Sequence, residues 1–125
     1  MGAFGDFRTR PLETKLETKK DMTATVVYVT ASSDEEARRI AAAVVTERLV
    51  ACANLVPGMT SMFWWEGRMQ ENSEVTIILK TRTDLIERLT DRVRELHSYD
   101  CPCVVALPIT GGNKAFIDWI IAETR

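Results

Sequence analysis

Residues 51–81, ACANLVPGMTSMFWWEGRMQENSEVTIILKT, read as two long extended runs placed back to back. The pivot is Glu66-Gly67, a two-residue step between Trp65 and Arg68 that suits a tight hairpin turn. Val75, Ile77 and Leu79 alternate with Thr76, Ile78 and Lys80, so three branched side chains share one face of the second run. Pro57-Gly58 interrupts the first run. Proline removes a ladder donor there, and the pair predicts a kink or bulge. Each arm is about 14 residues long, against about 5 or 6 for an ordinary strand.

The flanks repeat one pattern on either side of this hairpin. Thr25 to Thr30 is β-branched and aromatic and reads as a buried strand. Ser33 with Glu36 forms a capping box, and Ala37, Ile40, Ala41, Val44 and Val45 give a helical stripe that ends near Arg48. After the hairpin, Asp84 with Glu87 marks a second helix start, with Leu85, Leu89, Val93 and Leu96 as its apolar face. Cys103 to Ile109 reads as a fourth strand. Gly111-Gly112 then turns into a last helix capped by Asn113 and carrying Phe116, Ile117, Ile120 and Ile121. Strand-helix-strand occurs twice. The fold class is α+β, a ferredoxin-like βαββαβ unit over residues 23–125 with an extra C-terminal helix. Residues 1–22 are too polar to offset their ordering entropy and read as a flexible leader or an appended tail.

Hairpin length also bears on assembly. The arm carries Phe63, Trp64 and Trp65 at its far end, an aromatic cluster costly to leave in water. Either the last helix folds back over it, or the long edges pair with other copies of the chain. The expectation is a closed homo-oligomer in which each arm extends a neighbour's sheet. A net charge of -2 argues against a nucleic-acid partner. No apolar run approaches the ~20 residues that span a bilayer, so no membrane partner is expected. Three cysteines, an odd number, suit a reducing compartment, and the cytoplasm is the expected location.

Chemistry-bearing side chains concentrate at residues 97–103, His-Ser-Tyr-Asp-Cys-Pro-Cys. An imidazole and two thiols suit a soft or borderline ion, which makes His97, Cys101 and Cys103 the candidate metal ligands. If the fourth strand already begins at Cys101, both thiols face the same side. The competing reading has His97 capping the helix C-terminus, with the cysteines packing as small apolar groups. Cys52, in an Ala-Cys-Ala stretch, reads as core. Nucleophilic catalysis has no third orienting residue beside a cysteine-histidine pair, and no glycine-rich phosphate motif is present. An RNA-recognition domain would share the element order, but the third strand lacks the stacking aromatics.

The runs Ala51 to Gly58, Trp65-Glu66-Gly67, Glu74-Val75 with Lys80-Thr81, and His97-Ser98-Tyr99 with Leu107-Pro108-Ile109 resemble the CutA divalent-cation tolerance family over about residues 24 to 122. The resemblance implies a tight trimer similar in build to the PII signalling trimers. It also implies a binding protein rather than an enzyme, with copper or another divalent metal as ligand and no metal required for folding. In bacterial copper-binding members one proposed ligand is a cysteine ending the first strand, and here that position is Val29. The other proposed ligands are adjacent histidines, of which only His97 is matched, Leu96 standing at the first. The family favours proline, glutamate and glutamate where this chain has Ser98, Asp100 and Cys103; the last change should favour Cu(I) over Mg(II) or Ca(II). The family pattern also points to Trp65, Lys80 and Tyr99 as a ligand cleft between subunits, with Lys80 binding a small anion. A PII-like signalling or scaffold role, with an unidentified protein partner, is the alternative.

Overall fold

The computed structural model describes residues 21–125, so the expected leader lies outside the described residues except for its last two positions. The elements run β1 (Ala24–Ala31), α1 (Asp34–Thr46), β2 (Cys52–Trp65), β3 (Arg68–Arg82), α2 (Ile86–Leu96), β4 (Val104–Pro108) and α3 (Lys114–Glu123). The strands form one antiparallel sheet in the order β2-β3-β1-β4. This is the ferredoxin-like α+β arrangement expected of two strand-helix-strand units joined by a hairpin.

The hairpin follows its local chemistry. Glu66 and Gly67 both take positive φ, 52° and 77°, the signature of a type I′ turn whose twist matches the strands it joins. Trp65 then pairs with Arg68, and the ladder continues down both arms. Register breaks between Val56 and Met59, where Pro57 cannot donate and Gly58 sits at φ 79°. The expected bulge is there.

Helix α1 starts as expected at Ser33, whose hydroxyl accepts from the Glu36 backbone N–H at 3.2 Å. The return bond differs from a capping box. Glu36 reaches one residue further back and accepts from the backbone N–H and hydroxyl of Ser32. At its other end the Leu49 N–H bonds the Val44 carbonyl and the Arg48 N–H bonds that of Val45, a Schellman closure with Arg48 at φ 61°.

Two boundaries differ from the expectation. Asp84 does not cap α2, because it pairs with Arg82, and a 3₁₀ turn over Thr83–Leu85 precedes the helix. Strand β4 begins at Val104 rather than Cys103, since Pro102 keeps the segment before it out of the ladder.

Helices α1 and α2 cover one face of the sheet. Val27, Val29, Ala31, Val75, Ile77 and Leu79 pack there against Ala37, Ile40, Val44, Leu89 and Val93, all buried. The opposite face is also apolar where Tyr28 pairs with Ile78 and Val105, and Val26 with Leu107. Yet Val56, Val105 and Leu107 are each about half exposed there. Helix α3 does not fold over the arm tip. Its C-terminal end is tied elsewhere, by Arg82 donating to the Thr124 carbonyl and Arg48 pairing with Glu123 at 2.9 Å. Trp64 consequently stays 76% exposed.

Truncating Ile77 to Ala should lower unfolding free energy by about 2–5 kcal/mol, since the site is sealed on all sides. Glu66→Asn should act the other way, raising stability by up to about 1 kcal/mol, because asparagine tolerates the left-handed region that glutamate must enter here. Guanidinium denaturation of both variants checks the pair. A destabilised Glu66→Asn protein would contradict the turn assignment.

Candidate functional site

The end of α2 sets the site. The His97 N–H closes the helix on Val93, and its backbone then turns extended. The imidazole is driven inward, its side chain 0% exposed. Nε2 lies 2.7 Å from the Thr30 carbonyl, which can only accept, so Nε2 carries the proton. Nδ1 is then the acceptor for the Tyr99 backbone N–H at 3.1 Å. Both ring nitrogens are thereby used within the subunit.

Beside the ring lies the carboxylate of Glu36, 3.7 Å from Nδ1. Besides its two bonds from Ser32 it accepts from the Ser98 backbone N–H at 2.7 Å. Burial would raise its pKa, but the hydrogen bonds from Ser32 and Ser98 outweigh it and hold the carboxyl down at about 2. One carboxylate thus ties the β1–α1 junction to the α2–β4 junction. Tyr99, held by His97 with its ring centroid 4.6 Å from the imidazole, is aimed at the sheet and donates to Glu74 at 2.9 Å. Burial, then the bond to Glu74 and its charge, push the Tyr99 phenol up to about 12.

Around this pair opens a cleft of about 790 Å³, beneath the β2–β3 arm. Tyr28, Phe63, Trp65 and Tyr99 supply rings to its wall, and Glu74 and Asp100 its carboxylates. Met59 holds its sulfur toward the hydroxyls of Tyr28 and Thr76.

The structure brings together only part of each expected site. Cys101 and Cys103 both line the cleft, with Trp65 and Tyr99. His97 does not line it, and among the described residues no three His, Cys, Asp or Glu side chains converge as a metal-holding group. Because β4 starts at Val104, the two thiols do not share a strand face; Cys101 is exposed and Cys103 half-buried. Burial, then the charge of Glu74, push the Cys103 thiol up, which keeps it protonated. Lys80 is apart from the cleft of its own subunit, donating to Asn54, and Cys52 beside it is half-buried rather than core. Glu36, Glu74 and Asp100 join the site in addition to the residues the sequence points to. The signal for Glu74 is a carboxylate on the same strand face as Thr76 and Ile78, in a run otherwise built to be covered.

The sequence matches the family profile "CutA1 divalent ion tolerance protein" over residues 25–123. It is 41% identical to "Protein CutA 1, chloroplastic" of Oryza sativa, over all of this chain and 72% of that protein. It is 45% identical to "Protein CutA, chloroplastic" of Arabidopsis thaliana, over 87% of this chain and 60% of the relative, so it spans under two thirds of that protein's length. Identity to the "Divalent-cation tolerance protein CutA" of Thermus thermophilus is 46%, covering 79% of this chain and 96% of the relative. The solved divalent cation tolerance protein (Cut A1) of T. thermophilus superposes with a TM-score of 0.80 at 45% identity, over 82% of this chain and 99% of that one. The crystal structure of CutA1 from Oryza sativa gives 0.80 at 44% identity, over 83% and 97%.

The Glu36 junction predicts a pH dependence. An unfolded Glu36 takes up its proton near the ordinary value of 4.5, whereas the folded carboxylate holds out to about 2. The folded state is therefore favoured above 4.5, and this contribution, about 3 kcal/mol, is lost as pH falls from 4.5 toward 2. Denaturation of the protein and a Glu36→Gln variant from pH 7 to 2.5 should show a stability gap that narrows through that window. A gap unchanged with pH would contradict the assignment.

Proposed function

The chain belongs to the CutA1 divalent ion tolerance family, and from that membership we propose that it binds copper or another divalent metal in a cation-tolerance role, as a homotrimer. The observation that carries the reading is the opening of Cys101 and Cys103 onto one cleft beside Glu74 and Asp100. A thiol pair is a soft-metal donor set, and the exposed apolar face argues that neighbouring copies complete the coordination. His97 is a positioning residue in this reading, because its nitrogens hold Thr30 and Tyr99. Binding rather than catalysis is favoured by the protonated Cys103 thiol and by the separation of His97 from both cysteines' cleft. Three free thiols suit a reducing compartment, with the cytoplasm as the proposed one.

A second reading, a PII-like signalling or scaffold trimer, draws on the cleft volume, which suits a small organic molecule better than a bare ion. The small anion of this reading would meet Lys80 only where a neighbouring copy brings it to the cleft, since Lys80 is apart from the cleft of its own subunit.

Competitive Cu(I) titration against a coloured chelator under reducing conditions, repeated with Zn(II), tests the metal reading. Submicromolar binding should be lost in a Cys101→Ser, Cys103→Ser double variant and kept in His97→Gln. Equal binding by the intact protein and the double variant would remove the thiols from the site.

A further inference from the structure

The hydrogen bonds of His97 admit only a neutral ring. Nε2 donates to the Thr30 carbonyl at 2.7 Å, and Nδ1 must accept from the Tyr99 N–H at 3.1 Å. A different partner for Nδ1 lies close by, the Glu36 carboxylate at 3.7 Å. Despite its burial, Glu36 is held at about 2 by the bonds from Ser32 and Ser98, so it stays ionised throughout mild acid. The two side chains are 0% and 5% exposed, so this arrangement is closed within one subunit and does not depend on what covers the open sheet face. The surrounding charge leans acidic. Helix α1 presents Glu36 and, 3.9 Å from its carboxylate, Arg39, while β1 contributes the uncharged Thr30 carbonyl. On the outer side Asp91, Arg94 and Glu95 of α2 and Asp100 of the next turn line a groove with His97. Glu74 of β3 faces the Tyr99 hydroxyl rather than the imidazole.

We propose that His97 is a pH-operated latch on the turn between α2 and β4. With the ring neutral, Nδ1 holds the Tyr99 N–H and the turn is closed. On acidification the proton enters at Nδ1, which changes from acceptor to donor. Its N–H then opposes that of Tyr99, and it closes the short gap to Glu36 to form a charge-assisted bond. Nε2 keeps its bond to Thr30 throughout. The ring therefore stays anchored to β1 while the turn loses a tie at Tyr99. The latch needs no metal and makes no use of the thiols, so it goes beyond the metal reading.

His97 is the only histidine in the chain, so its ring signals in an NMR spectrum are unambiguous. The full chain, labelled at histidine and tyrosine and followed from pH 8 to 5, tests the proposal. The ring should titrate within that range. Tyr99 amide exchange, corrected for its intrinsic pH dependence, should rise roughly threefold to tenfold with the same midpoint, the worth of one hydrogen bond. Glu36→Gln removes the charge that draws the proton and should move the midpoint to lower pH. His97→Asn, whose side-chain carbonyl accepts from the residue two ahead at any pH, should leave Tyr99 exchange flat across the range. A ring that stays unprotonated to pH 5 overturns the proposal, as does a titrating ring with no change at the Tyr99 amide. An unaltered rise in His97→Asn overturns it too, and so does an unmoved midpoint in Glu36→Gln. If either variant does not fold, the ring and amide curves of the intact protein decide.

Discussion

One constraint organises the molecule: α1 and α2 cover a single face of a four-stranded sheet whose residues are apolar on both. Val27, Val29, Ile77 and Leu79 satisfy the hydrophobic effect on the helix side and fix the register of β1 on β3. Tyr28 and Ile78, one step along in the same strands, must then face the other way, together with Val105 and Leu107, which pair with Tyr28 and Val26. A slip of one residue would exchange the two sets, so the core and the open face are specified together. The long β2–β3 arm extends that open face beyond the helices, and the cleft forms where the arm overhangs it.

Polar chemistry is held in place by a second, smaller device. Glu36 gathers the backbone of Ser32 and Ser98, and His97 carries the same linkage through Thr30 to Tyr99. Each buried polar group in this junction has a partner, which is what allows it to persist in the interior. Its effect is to aim Tyr99 across the sheet at Glu74. The result is an acidic, ring-lined cleft whose geometry is set by the fold rather than by a mobile loop.

Much of this fold was legible because it rests on short-range patterns. Alternation in Val75 to Lys80, the Glu66-Gly67 step, the Pro57-Gly58 break and the Ser33 cap each act over a few residues, and each is found where the sequence places it. The site was less legible because its contacts are long-range. His97 meets Thr30 across 67 positions and Ser98 meets Glu36 across 62, and no local periodicity encodes such pairs. The three soft donors of residues 97–103 looked like one site because they are adjacent in sequence, yet a helix end, a proline and a strand start point them in different directions. Lys80 lies roughly 20 Å along β3 from Glu74, so it can join Trp65 and Tyr99 in one cleft only across a subunit boundary, as the sequence reading has it.

What covers the open face and the arm decides how the molecule assembles. Light scattering coupled to size-exclusion chromatography at micromolar concentration gives the most direct answer. A particle of three times the 14.1 kDa chain mass is the predicted result. A stable particle of 14.1 kDa would mean that the exposed apolar face is tolerated in water, and would contradict both the assembly and the completion of the metal site by neighbouring copies.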